Sequence, residues 1–356
     1  MPPVAPRPAP RPPWHPESLA ARLPFLRRRA RLAADVRGVL AARGYQEVET
    51  PALVPVPGME VHLRAFRTLY RPHLGVGRES VLWLRTSPEL ALKRLLVAGA
   101  GPVFELAKVW RNGELSPRHG PEFTMLEWYA PGLTLDALME ETETLCRSVL
   151  PARVAHAGVE TDLTQPFERL TMAEAFRRHC NGLDILATVT AETAEGDAAA
   201  LHAAARAAGL EVPPDLGWED AFFHLVLTHV EPRIGRERAT FLTHWPAPQA
   251  ALARRDPADP RAALRFELFA AGLELANAFD ELTDAAEQRT RFVRDVEARK
   301  AEAGEEGWPV DEDFLRSLEH GMPAGSGIAL GFDRLAMLAS GAQHIDQVLW
   351  LPSAVT

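Results

Sequence analysis

Apolar residues recur at helical spacing over 25–43, where Leu, Val and Ala hold one face, and Gly44 stands where such a helix would end. The segment YQEVETP that follows has strand composition, and Pro51 stops it. From Arg85 the chain predicts a helix and then an antiparallel hairpin. Residues 102–110 alternate with period 2, a loop rich in Gly, Pro and charge runs from Arg111 to Pro121, and a second strand starts near Glu122. On that strand Phe123, Met125, Glu127 and Tyr129 share a face. A carboxylate and a phenol beside an aromatic ring, with Arg111 entering the loop, point to the wall of a site for a cationic, phosphate-bearing or aromatic ligand. Residues from 134 to about 230 are Ala-rich with helical spacing, and this stretch is an expected insertion containing LTMAEAFRRHC and a less patterned segment at 187–217. Strands return at about 238–245 and 263–279, a charged helix spans roughly 284–302, and a glycine-rich strand leads into a final helix within 327–340. This long-range mixing predicts an α+β fold, a mainly antiparallel sheet flanked by helices.

Composition narrows the function classes. At 356 residues the chain can bury a large core; 47% hydrophobic and 24% charged residues are ordinary for a soluble globular protein. No run of about 18 apolar residues occurs, so no membrane span or membrane partner is expected. Eight prolines fall within the first sixteen residues, which reads as a mobile, polyproline-like tail over 1–23 rather than a signal peptide. Cys146 and Cys180 are the only cysteines and lack metal-site spacing, so a reducing cytoplasm fits. A net charge of −9 and a pI near 5.8 argue against broad attraction to nucleic acid.

Several charged residues carry candidate chemistry, each with a plainer alternative. Glu267 and Glu274 lie symmetrically about Phe269-Ala270-Ala271-Gly272, so a hairpin centred there opposes them directly, and their repulsion would be relieved by a divalent cation such as Mg²⁺. The same spacing of seven also keeps one face of a solvated helix. Thr86-Ser87-Pro88-Glu89 has the form of a capping box with an early proline. Glu281 precedes a helix that Asp284 and Glu287 would cap. Arg334 falls in the first turn of the last helix, where a cation opposes the macrodipole and an anionic ligand would offset it; a local pair with Asp333 is the alternative. Phe123 is either a stacking ring or core. The run GSGIALG is not the dinucleotide fingerprint.

The loop Arg111-Asn112-Gly113-Glu114, the strand H-x-P-E-F-T-M-L-E-x-Y and the segment G-x-x-L-G-x-D-R, taken in order, resemble motifs 2 and 3 of the lysine-type class II aminoacyl-tRNA synthetases. Within that family the likeness extends to the lysyl-tRNA synthetase paralogues that ligate (R)-β-lysine to elongation factor P, and it covers roughly residues 24 to 352. The resemblance implies a catalytic domain over 24–356, with the first helix, strand and proline forming the motif of a homodimer interface. Only some two dozen residues precede that helix, where bacterial lysyl-tRNA synthetases carry an anticodon-reading barrel, so no anticodon reading is expected.

By the same resemblance, Arg111 grips the carboxylate and α-phosphate, and Arg334 the γ-phosphate of ATP. Phe123 stacks on adenine; Asn112, Gly113, Glu114, Gly120, Glu274, Leu275 and Gly331 complete the ATP site; Glu267 and Glu274 hold Mg²⁺. Ser87, Pro88 and Glu89 contact the amino acid, Glu89 receiving its amino group, while Tyr129 and Glu281 hold the side-chain ammonium. Physically, acceptors converging in a dry pocket select an amine. Ala329 stands where lysyl-tRNA synthetases have glycine and the β-lysine ligases alanine; a methyl group there is worth ~1–3 kcal/mol of selection. Without the family it is equally a small packed residue. The implied reaction joins an amino-acid carboxylate to ATP and passes the acyl group to the ε-amino group of a lysine on elongation factor P, with no protein nucleophile. An α-lysine ligase with another acceptor and an inactive regulatory paralogue are the competing readings. The chain departs from the family at Gly113, with the glutamate one place later at Glu114, at Gly120 in place of asparagine, and at Ala278 in place of glycine.

Overall fold

The computed structural model describes residues 12–73, 77–250, 252–303 and 307–352. The first eleven residues of the expected tail lie outside these. The chain enters through α1 (Pro16–Ala42), which starts well before the predicted 25–43, so residues 16–23 belong to a helix and not to a tail. Pro16 sits at the start, where a missing N–H costs nothing, and the His15 side chain accepts from Glu17 N. Leu26, Leu32, Val36 and Leu40 form its buried stripe, and Gly44 follows its end at φ +84°.

After α1 come β1 (Gln46–Glu47), β2 (Leu53–Val54), β3 (Arg67–Tyr70) and β4 (Ser80–Leu84), then α2 (Glu89–Val97) and the predicted hairpin of β5 (Val103–Trp110) and β6 (Glu122–Pro131). Next is α3 (Leu135–Val149). The helical insertion expected at about 134–230 also holds strands, since β7 (Arg153–His156), β8 (Val159–Asp162) and β9 (Glu168–Thr171) precede the helices α4 (Met172–His179), α5 (Ala198–Ala207) and α6 (Trp218–Leu225). The strands are four residues each, too short for their alternation to stand out against the Ala-rich background. The last third holds β10 (Thr240–Pro246), β11 (Ala262–Ala270), β12 (Leu273–Asp280), α7 (Ala285–Ala303), α8 (Glu312–Gly321), β13 (Gly325–Gly331) and α9 (Phe332–Ser340).

The main sheet has the order β1-β5-β6-β13-β12-β11-β10-β9. Its six central strands are antiparallel and only the edge pairs β1/β5 and β9/β10 are parallel, as an α+β reading requires. Strand alternation divides the residues between two faces. Leu126, Trp128, Phe266, Leu268, Ala276, Ala278, Ile328 and Leu330 point into one core, shared with α1, α3 and α9. Ala278, one of the departures from the family, is simply a buried core residue here. The opposite face is covered at one end by α2, α7 and α8 and at the other by the insertion, each with its own core. Between these two covers the sheet stays open, and the candidate site lies there. No helix among the described residues is long and apolar enough to cross a membrane.

Candidate active site

Strand register builds the floor. Glu127 on β6, Ala329 on β13, Asn277 on β12 and Glu267 on β11 are successive cross-strand partners and form one transverse row. A parallel row carries Tyr129, Gly327, Phe279 and Arg265. Above them is a cavity of about 780 Å³. Among the predicted residues, Ser87, Glu89 and Tyr129 line it at one end and Arg111, Glu114, Gly120, Phe123, Gly331 and Arg334 at the other, with Glu267, Glu274, Leu275 and Ala329 between.

Four predicted residues stand elsewhere. Pro88 is the residue just before α2, and Glu281 lies behind the wall, beside Gly327. The Asn112 amide donates to the Arg64 carbonyl at 2.8 Å, and Gly113 adopts φ +90°, a turn that brings Glu114 back to the cavity. The capping box does not form. Thr86 donates to the Pro57 carbonyl instead, and Ser87 Oγ accepts from Glu89 N while donating to Glu127. Asp284 does cap its helix, accepting from Glu287 N at 2.8 Å.

One end of the cavity is acidic and dry. Glu127 is fully buried and takes hydrogen bonds from Ser87 Oγ at 2.6 Å and Tyr129 OH at 2.8 Å; burial, then the neighbouring Glu89, pushes its carboxyl up to about 8. The Lys93 ammonium, 2% exposed, bridges Glu89 at 2.5 Å and Glu281 at 2.6 Å. Burial works to lower Lys93, but Glu281 and Glu89 overcome it and hold the amine charged, above its ordinary value. Burial raises both carboxyls against the pull of Lys93, Glu281 to about 8. Glu281 Oε1 has no hydrogen-bond partner. Three buried glutamates and one lysine leave two negative charges unmatched when all are ionised, an arrangement that favours a ligand with two cationic groups.

The other end is basic. Arg111 leaves β5 with its guanidinium 5.1 Å from the Phe123 ring centroid and 3.7 Å from Glu114; its buried Nε is without a partner. Arg334 does not pair with Asp333, which binds Arg29 and accepts from the Thr124 amide. It donates instead to the Glu274 carbonyl at 2.6 Å and to His119 Nε2 at 2.6 Å. An arginine only donates, so His119 accepts at Nε2 and carries its proton on Nδ1, toward Ser116 Oγ at 2.7 Å. Burial and then Arg334 push His119 down to about 4, which keeps it neutral.

Glu267 and Glu274 are not directly opposed. The hairpin turns one residue later than predicted, at Ala271 and Gly272 with φ +52° and +72°, and a bulge follows. Glu267 therefore pairs across with Asn277, and Glu274 with Phe269. Both still face the cavity, and burial, then Glu274, raises the Glu267 carboxyl to about 8. Glu267 also accepts from Arg265 at 2.5 Å. Among the described residues no group of three or more His, Cys, Asp or Glu side chains forms a metal cage. Two carboxylates beside a basic end instead fit a cation that takes part of its shell from a phosphate.

A sequence profile described as tRNA synthetases class II (D, K and N) matches residues 21–355. The chain belongs to the class II tRNA synthetase family. Relatives at 41% identity occur in Klebsiella pneumoniae (strain 342), Salmonella dublin and Salmonella paratyphi B, each aligned over 339 residues, 94% of this chain and 96% of the relative. Those three proteins bear the name elongation factor P–(R)-β-lysine ligase. Family membership carries the large, mostly antiparallel sheet that seats the cavity. Sequence reasoning missed Lys93, His119 and Asn277, and placed Glu127 in the wall of a site without assigning it a contact. Glu127 was visible on the shared face of β6, whereas Lys93, four residues after Glu89, has the spacing of an ordinary surface ion pair.

Proposed function

We propose that the protein uses ATP to activate (R)-β-lysine as an aminoacyl-adenylate and passes the β-lysyl group to the ε-amino group of a lysine on elongation factor P. The observation that carries this reading is that the dry acidic end and the basic end open into one cavity, with the Ala329 methyl in the floor between Glu127 and Asn277. A diamino acid brings two ammonium groups to the acidic end and directs its carboxylate toward Arg111. Glu89, Glu127 and Tyr129 would receive the amines, with Glu281 behind the wall adding its charge through Lys93. Arg111, through its unpartnered Nε and the rest of its fork, would hold the carboxylate against the α-phosphate, and Arg334, steadied by neutral His119, would hold the terminal phosphates. Phe123 offers a face to adenine. Glu267 and Glu274 would hold Mg²⁺, which when bound offsets the charge of the phosphates.

In the first step a carboxylate oxygen forms a bond to the α-phosphorus as pyrophosphate leaves. In the second, the acceptor's free amine nitrogen bonds to the acyl carbon as the bond from that carbon to the AMP oxygen breaks, and the nitrogen gives up one proton to solvent. Buried side chains position these atoms and exclude water, and no protein nucleophile takes part. The names of the relatives support the substrate and acceptor, and the Ala329 methyl supports β-lysine over α-lysine because it fills floor space beside the amine-binding Glu127. A homodimer built on α1 and a cytoplasmic, reducing setting, suited to two buried free cysteines, belong to the same proposal. The test is intact-mass analysis of purified elongation factor P after incubation with enzyme, ATP, Mg²⁺ and (R)-β-lysine. One β-lysyl group on one lysine is expected; unmodified factor alongside active adenylate formation would point to another acceptor.

A further inference from the structure

The two ends described above accommodate an amino acid and a nucleotide, but the cavity has a third wall that neither uses. It is assembled from three segments distant in sequence: the stretch after β2 with Glu60 and His62, helix α6 with Trp218, Glu219 and Phe223, and helix α7 with Asp295. Arg299 on α7 ties this wall together by donating to the Met59 carbonyl at 2.7 Å, and His62 Nε2 lies 3.4 Å from Glu219 Oε1. Gly196 lets the insertion close on it, since a Cβ there would come within 2.1 Å of the Trp218 ring.

Asp295 is the unusual member. It is 6% exposed, lines the cavity, and its Oδ2 has no hydrogen-bond partner, while its nearest cation, Arg294 Nε, is 3.7 Å from Oδ1. A buried carboxylate oxygen without a partner is costly, by about 1–3 kcal/mol or more for a charged group, so it marks a place for a missing donor. Arg294 shares the cavity lining, with Arg299 and Arg291 also near Asp295, while Glu60 and Glu219 bring two further acids to the wall, and the aromatic faces of Trp218 and Phe223 suit an aliphatic stem. A cation at the end of a hydrocarbon chain meets both conditions. Burial, against the pull of Arg294 and Arg299 and with a push from Glu219, sets the Asp295 carboxyl at about 6, so it is largely ionised at neutral pH and able to bind such a cation.

We propose that Asp295, with Glu219 and Glu60 beside it, is the receiving site for the acceptor's primary amine, which arrives as an ammonium and gives up one proton to solvent before its nitrogen bonds to the acyl carbon and AMP leaves, so that the helical insertion serves to admit a lysine side chain. This rests on the adenylating function proposed above and assigns its acceptor side.

The test separates the two half-reactions. Wild type, Asp295→Asn and Glu219→Gln would be compared in ATP–pyrophosphate exchange, in trapping of the adenylate by neutral hydroxylamine, and in acylation of the cationic probe Nα-acetyl-lysine methylamide. Asp295→Asn is expected to leave exchange and hydroxamate formation within about twofold of wild type and to lower acylation of the lysine amide about tenfold or more, the effect of losing one hydrogen bond to a charged group. Glu219→Gln, at an exposed position that does not threaten folding, is expected to shift lysine-amide acylation alone and by less. Equal loss in all three assays, no loss in any, or a wild type that exchanges but never acylates the lysine amide would overturn the assignment. Absence of exchange in the wild type would instead overturn the adenylating function itself.

Discussion

Lys93 changes what the acidic end of the cavity can do. Without it, Glu89 and Glu281 would be buried like charges; with it, and with Glu127 beside them, they form a site two charges short when all are ionised. Lys93→Met should cost about 3–5 kcal/mol at pH 8, the range for breaking a buried ion pair. The loss should shrink at pH 6, where Glu281, raised to about 8, takes up a proton; thermal melts at the two pH values check this. Glu127 and Glu281 also set a pH dependence. An unfolded carboxyl titrates near 4.5 and these titrate at about 8 when folded, so between those values the native state binds more protons and the empty protein loses stability as pH rises, by at most about 1.4 kcal/mol per pH unit for each group. Binding of a diammonium ligand needs the ionised form. Amino-acid affinity should therefore rise from pH 6 to pH 8.5 with release of protons, measured by titration calorimetry in buffers of different ionisation enthalpy; affinity that falls over this range would contradict the charge assignment. Ala329 acts by volume. Ala329→Gly should raise the use of α-lysine relative to β-lysine about tenfold, the worth of one methyl group in a pocket, as read from the two kcat/KM values.

Strands position these residues, and the sequence showed them unevenly. The hairpin of β5 and β6 was plain because the run 102–110 alternates and a breaker-rich loop separates it from the ten-residue β6. The hairpin carrying Glu267 and Glu274 was recognisable, but its register was not: Ala271 rather than Gly accepts the first left-handed turn position, and the bulge leaves no mark in composition. Strands β7 to β9 were hidden by their brevity. The start of α1 was hidden by the prolines around it, although Pro16 stands where a helix tolerates one. Arg334 and Asp333 are neighbours in sequence, yet α9 turns them to different partners, Glu274 and His119 for one, Arg29 and Thr124 for the other. At the element scale the sharpest constraint is Gly327 on β13. A Cβ there would lie 1.9 Å from a Tyr129 ring carbon and 2.8 Å from Glu281 Oε1. Gly327→Ala should therefore reduce kcat/KM for the amino acid at least a hundredfold while leaving nucleotide binding, followed by fluorescence of a labelled ATP analogue, nearly unchanged. Comparable loss of both would show that the strand, not the amine pocket, had failed.

For the whole molecule, the sheet accounts for the economy of the site. One face is sealed by α1, α3 and α9; the other is covered at both ends and open in the middle, so a single cavity holds the acidic residues, the arginines and the two carboxylates proposed to bind amines, phosphates and a divalent cation. Membership of the class II tRNA synthetases explains the frame, and the roles proposed for Lys93, Ala329 and Asp295 concern how this chain uses it. ATP–pyrophosphate exchange in the absence of tRNA, run with α-lysine and with (R)-β-lysine at several Mg²⁺ concentrations, tests the central claim most directly. Exchange that requires Mg²⁺ and favours (R)-β-lysine is the predicted result; preference for α-lysine, or no exchange with either, would contradict it.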